Sequence, residues 1–230
     1  MSVIIRGRRE NVETSRDVAL TAMLTVQCLA LFVAAPFGAL GHPAMRALAD
    51  LLLVLYLLLV LMVSHDRVTR VVTVTVSGCG LVSGAVNLVL PSTSTTVMAH
   101  SGSIIAFVVL GYVVARAVFA PGPVNTHRIL GAIVLYLNLA LSFSTIYRLI
   151  WDIAPDAFTG LSDGAEGPRG FAALVYFSLV TLTSTGYGDV LPINPFGRTL
   201  ANVESVIGQL YPATLLARLV TQHLERDRRQ

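Results

Sequence analysis

One stretch constrains this chain more than any other. Residues Thr181 to Asp189 read T-L-T-S-T-G-Y-G-D. They lie between an apolar run too short to cross a bilayer, Phe171 to Thr183, and one long enough to do so, Thr199 to Thr221. Glycine adopts backbone angles that L-residues resist, so Gly186 and Gly188 mark a backbone that is neither plain helix nor plain strand. Gly and Asp are also ordinary turn residues. A turn of a soluble protein does not suit the surroundings, because 54% of the 230 residues are hydrophobic and 13% charged, against roughly 25% charged in soluble domains. The chain reads as an all-α integral membrane protein, since helices satisfy their own backbone polar groups inside lipid.

Six segments are long enough to span: Val18 to Leu40, Ala47 to Val63, Val71 to Leu90, Val97 to Phe119, Arg128 to Trp151 and Thr199 to Thr221. The first is interrupted late by Pro36 and Gly38, and its long polar leader argues against a cleaved signal peptide. The third is rich in Val and Thr, and Gly80 and Gly84 give it a G-x-x-x-G spacing that suits close packing within the subunit. In the fifth, Tyr136, Asn138, Ser142 and Ser144 are polar points expected to bond between helices. Residues 1–17 form a basic arm, 18–119 a four-helix domain, 120–127 a linker broken by Pro121, Gly122 and Pro123, 128–221 a second domain, and 222–230 a tail.

All sixteen basic residues are Arg. With the N-terminus in the cytosol, six spans put twelve of the sixteen on the cytosolic side, so the positive-inside rule favours this count and both termini inside. No nucleic-acid footprint is implied, and membrane lipid is the expected surrounding. Cys28 and Cys79 fall inside apolar segments and form no disulfide framework.

The T-S-T-G-Y-G-D run resembles the selectivity filter of potassium channels, whose usual core is T-V-G-Y-G-D, with Phe171 to Thr183 in the place of the pore helix. Ser184 and Thr185 are the departures from that pattern. The resemblance implies a bacterial six-helix channel with one pore loop, re-entrant at the pore helix and assembled as a homotetramer, because each chain supplies one strip of carbonyls. Potassium ions would be held by the backbone carbonyls of Ser184, Thr185, Gly186 and Tyr187 and by the Ser184 hydroxyl, with Gly188 and Asp189 completing the filter. No other cofactor is expected.

Tyr176 and Phe177 stand where the family packs aromatic residues around the filter, and Val180 where some bacterial members carry a Glu that pairs with the Asp. Asp189 must then find another partner. With Thr183, these form the expected pore-helix support. The pore helix is expected to aim its negative dipole end at the cavity below. In the last span Gly208 matches the family's glycine hinge, and Pro212 would kink the helix on its own account. Gln209, Pro212 and Leu216 share a stripe expected to line the cavity. Glu204 is the acidic residue deep in this helix, expected to contact the pore-helix backbone or, alternatively, the ion cavity.

Outside the filter, Asp152, Asp156, Asp163, Glu166 and Asp189, with Arg148, Arg169 and Arg198 among them, read either as an acidic mouth that concentrates cations or as a solvated loop. The fourth span carries Arg116 rather than an arginine array, so strong voltage gating is not expected. The short tail leaves no room for an attached cytosolic ligand-binding domain. The expected function is passive, potassium-selective conduction across the plasma membrane. The alternatives are a weakly selective cation channel, a transporter subunit, and a non-conducting structural subunit. An intramembrane enzyme using His100 or His127 is a further alternative, disfavoured at His100 because no nucleophile motif on a second helix accompanies it, and tested by mutating either His.

Overall fold

The computed structural model describes residues 18–64, 67–90, 92–119, 126–161 and 168–227. The arm at 1–17, Pro121, Gly122 and Pro123 of the linker, Asp163 and Glu166, and the tail residues 228–230 lie outside them.

Helix α1 covers 18–39 and widens to a π-helical stretch at Ala30–Ala34. Proline removes a donor and crowds the preceding turn, and the wider stretch carries the chain past Pro36 without ending the helix. Helix α2, Pro43–Val63, has Pro in its first turn after an extended His42. It starts four residues before the expected Ala47 because a proline there is already set for a helical φ. Helix α3 is Arg67–Val89 and α4 is Thr93–Val118. Ser92 caps α4 reciprocally: Ser92 Oγ accepts from the Thr95 amide at 3.2 Å and Thr95 Oγ1 accepts from the Ser92 amide at 2.9 Å. This cap, absent from the apolar pattern, moves the start back from Val97.

Helix α5 is Thr126–Ile153, followed by a 3-10 turn, Pro155–Ala157, and strand β1, Phe158–Thr159. Helix α6 is Pro168–Leu182, strand β2 is Leu191–Pro192, and α7 is Pro195–Asp227. Asn194 Oδ1 accepts from the Phe196 amide at 2.8 Å with Pro195 opening the helix, so α7 begins before the expected Thr199. Its far end runs on past Thr221 to Asp227.

Among the described residues, four stretches are long and apolar enough to cross a membrane: Val18–Phe37, Arg67–Asn87, Thr93–Val118 and Thr126–Ile153. The chain is a membrane protein built almost wholly of helix. In α2 the apolar part narrows to Leu51–Val63.

Two compact units are present. The first takes residues 1–73 and 110–135. Met23, Val60, Val114, Ala132 and Val134 are buried in it, and Gly131 sits where a Cβ would meet Val118 Cγ2 at 2.9 Å and Leu20 at 3.1 Å. Thr21 Oγ1 and His127 Nδ1 hydrogen-bond at 2.7 Å.

The second unit takes residues 74–109 and 136–230. Here α3 and α4 approach at Gly80 and Gly102, where a Cβ on Gly102 would stand 3.3 Å from the Gly80 Cα. A Cβ on Gly84, the other end of the G-x-x-x-G spacing, would meet nothing within 4 Å beyond its own helix. Phe143, Tyr147, Phe158, Leu174, Phe177 and Val190 form the core behind the motif. Their rings meet edge to face, with Phe177 5.0 Å from Tyr147 and 5.8 Å from Phe158 between centroids. Strands β1 and β2 pair antiparallel, Phe158 with Pro192 and Thr159 with Leu191.

Candidate functional site

A helix ends with four carbonyls that lack an intrahelical donor. In α6 these belong to Leu179, Val180, Thr181 and Leu182, and each finds one. Leu179 O accepts from the Thr183 amide at 3.0 Å and its hydroxyl at 2.7 Å. Val180 O accepts from the amides of Thr185 at 2.9 Å and Gly186 at 3.4 Å. Thr181 O accepts from the Ser184 amide at 2.9 Å and from Ser205 Oγ of α7 at 3.3 Å. Leu182 O accepts from Tyr136 of α5 at 3.0 Å.

This capping orients the motif. The two groups of a trans peptide unit point in opposite directions. With the amides of Ser184, Thr185 and Gly186 aimed at α6, the carbonyls of Thr183, Ser184 and Thr185 face away from it. Along the motif φ is positive at alternate residues: Ser184 at 55°, Gly186 at 61° and Gly188 at 79°. In a strand successive groups point to opposite faces, so reversing the hand at every second residue turns successive carbonyls toward one side. Residues Thr183 to Asp189 are all exposed.

Thr185 keeps its hydroxyl away from the backbone. Its Oγ1 is 2.9 Å from Thr183 Oγ1. Thr183 has already given its single proton to a helix carbonyl, so Thr185 donates to it. At the far end of the motif, Asp189 Oδ2 accepts from the Tyr176 hydroxyl at 2.9 Å, and the Tyr176 and Tyr187 rings lie 6.3 Å apart at 3°. Tyr176 thus fills the partner role that Val180 leaves open. Gly160, at φ +81°, supports the same point: a Cβ there would come within 2.8 Å of the Asp189 carbonyl carbon and nearer still to its oxygen.

The neighbouring expected residue, Phe177, is 6% exposed and faces the aromatic core rather than the motif. Gly208 is buried against the end of α6, where a Cβ would lie 2.7 Å from the Leu182 carbonyl carbon. Pro212 lies inside α7 and has no amide to offer the Gly208 carbonyl. The Tyr136 hydroxyl stands 3.4 Å from that oxygen. Gln209, Pro212 and Leu216 are exposed along α7. Glu204 is fully buried and bonded by the side-chain hydroxyls of Tyr147 of α5 and Ser178 of α6, not by the expected backbone of α6. Neither partner was legible in the sequence, since a lone Tyr and a lone Ser in apolar runs carry no pattern.

Two expectations change. Ser142 and Ser144 bond within α5, to the carbonyls of Asn138 and Leu141, because a mid-helix hydroxyl reaches back one turn. Asp152 is not a free acid at the mouth: it is paired with Arg148 Nε at 3.0 Å and His100 Nε2 at 2.8 Å.

The sequence profile of a family described as ion channel matches residues 132–224. Protein LctB of Bacillus caldotenax is 36% identical over 88 residues, which cover 37% of this chain and 64% of that protein. Protein LctB of Geobacillus stearothermophilus is 35% identical over 97 residues, covering 41% of this chain and 69% of that one. No solved structure matches the chain.

Proposed function

The chain belongs to the ion channel family, through a pore module at residues 132–224, and from that membership we propose that it forms a homotetrameric, potassium-selective channel of the plasma membrane. In this reading α1 to α5 and α7 span, α6 is the re-entrant pore helix, and both termini lie in the cytosol. The observation that carries it is the alternate positive φ at Ser184, Gly186 and Gly188 with the amides of 184–186 tied to α6. A strip of carbonyls so turned replaces the water shell of a dehydrated monovalent cation when four copies surround it. Ion binding falls to the carbonyls of Ser184, Thr185, Gly186 and Tyr187 and to the Ser184 hydroxyl.

A second copy is the natural occupant of the face beside the filter. A cleft of about 430 Å³ opens there, lined by Tyr176, Val180, Thr181, Asp189 and Ser205 among others. Tyr187 and Phe196 are 70% and 78% exposed. Residues 18–119 are read as a four-helix domain that does not sense voltage strongly, joined through 120–127 to the pore domain at 128–221.

Flux into liposomes holding the purified protein, under potassium, rubidium and sodium gradients, tests the reading, with Gly186→Asp as control. Potassium and rubidium should enter and sodium should not, and the substitution should abolish entry. Equal sodium flux would make the channel weakly selective, and no flux in any gradient would reject conduction.

A further inference from the structure

Glu204 lies one turn before Gly208 on α7 and is 0% exposed. Its carboxyl touches hydroxyls from two other helices: Tyr147 of α5 at 2.6 Å from Oε2, and Ser178 of α6 against Oε1. Ser178 Oγ also lies 2.8 Å from the carbonyl oxygen of Ala140 on α5. A serine hydroxyl has one proton, and a backbone carbonyl only accepts. Were Glu204 ionised, both neighbours of Ser178 would be acceptors sharing one proton, and one close contact would set two lone pairs against each other. With the proton on Glu204, Glu204 donates to Ser178, Ser178 donates to Ala140, and Tyr147 donates to the other carboxyl oxygen. Every contact then holds a hydrogen.

We propose that Glu204 is a positioning residue held as a neutral carboxylic acid, pinning the inner helix α7, the outer helix α5 and the pore helix α6 at one point, and that loss of its proton releases α6 and stops conduction. The groups facing it are Tyr147 and, farther along α5, Tyr136, with Ser178 from α6. The effect on conduction rests on the channel reading above; the protonation state does not.

The test compares the wild type with Glu204→Gln and Glu204→Ala in three ways: rubidium flux into liposomes, thermal unfolding in detergent, and infrared absorption of the carboxylic-acid carbonyl. The range runs from about pH 6 to about pH 10, across which a buried acid titrates. A Gln amide donates to Ser178 and accepts from Tyr147, so that variant should fold and conduct at neutral pH. Wild-type flux should fall about tenfold or more per pH unit above the midpoint of the acid, whereas the unfolding temperature should fall as pH rises toward that midpoint and level off above it. The Gln variant should stay flat, and Glu204→Ala should be impaired throughout. The wild type should show an acid carbonyl band that Gln lacks. A Gln variant as damaged as Ala at neutral pH, or a wild type without that band, would overturn the proposal by showing that an ionised carboxylate is needed. If the wild type conducts at no pH, the channel reading fails while the infrared and unfolding results still decide the state of Glu204.

Discussion

Gly208→Ala separates two accounts of the same glycine, one in which it lets α7 bend and one in which it lets α7 touch α6. The added methyl would lie 2.7 Å from the Leu182 carbonyl carbon and 3.0 Å from its Cα. The Leu182 carbonyl oxygen would be nearer still, and carbon atoms rest about 3.5–4.0 Å apart, so the two helices must part by about 1 Å or more. The obstacle is backbone, held in place by the Tyr136 hydroxyl at 3.0 Å from Leu182 O, and no flexible side chain can give way. Forcing a methyl into such a contact costs about 1–3 kcal/mol, and losing the Tyr136 bond raises the total to about 2–4 kcal/mol. Thermal unfolding in detergent and rubidium flux, measured on the same preparation, should fall together, since the end of α6 carries the motif. An alanine variant that unfolds where the wild type does, with only its opening altered, would refute the close-contact account in favour of bending.

Three further outcomes follow from the geometry around the motif. Gly160→Ala places a side chain at φ +81° and against the Asp189 carbonyl, so stability should drop by at least the roughly 1–2 kcal/mol of a left-handed L-residue, with flux lost; thermal unfolding reads the first and liposomes the second. Tyr176→Phe removes the donor on Asp189 while sparing the ring beside Tyr187, so single-channel records should show shorter conducting bursts with unchanged assembly; unaltered bursts would dismiss the role given to that bond. Thr185→Val removes only a hydroxyl that donates to Thr183, so the ratio of potassium to sodium flux should hold; a large change in either direction would show that the Thr185 to Thr183 relay sets selectivity.

The expected spans and the observed helices coincide where hydrophobic runs decide the matter and part company where a cap does. Pro43, Ser92 and the Asn194–Pro195 pair each begin a helix before its apolar residues start. Gly186 and Gly188 announced their backbone through lacking a Cβ, whereas Ser184 takes the same hand at φ 55° with nothing in its chemistry to say so. Tyr176 and Phe177 were assigned one role, but adjacent helical residues point about 100° apart. One meets Asp189 and the other the core, and only the packing of α6 against α5 fixes which. Glu204 was legible as an acid needing company. Its partners were not, because Tyr147 and Ser178 come from elements whose rotation about their own axes the sequence leaves open.

The order of helix and motif explains why the glycines alone do not set the motif's geometry. Glycine permits the left-handed angles at 186 and 188, and permission leaves many other conformations open at the same energy. Selection comes from α6. Its terminal carbonyls need donors, and the amides of Ser184, Thr185 and Gly186 are the groups the chain brings to them. Once these are bound, the peptide planes are fixed and the carbonyls of 183–185 have a single direction left. Tyr136 and Ser205 supply what the motif cannot, reaching Leu182 and Thr181 from α5 and α7. The end of α6 therefore acts first as a template for the motif, and its dipole adds to a geometry the hydrogen bonds have already chosen.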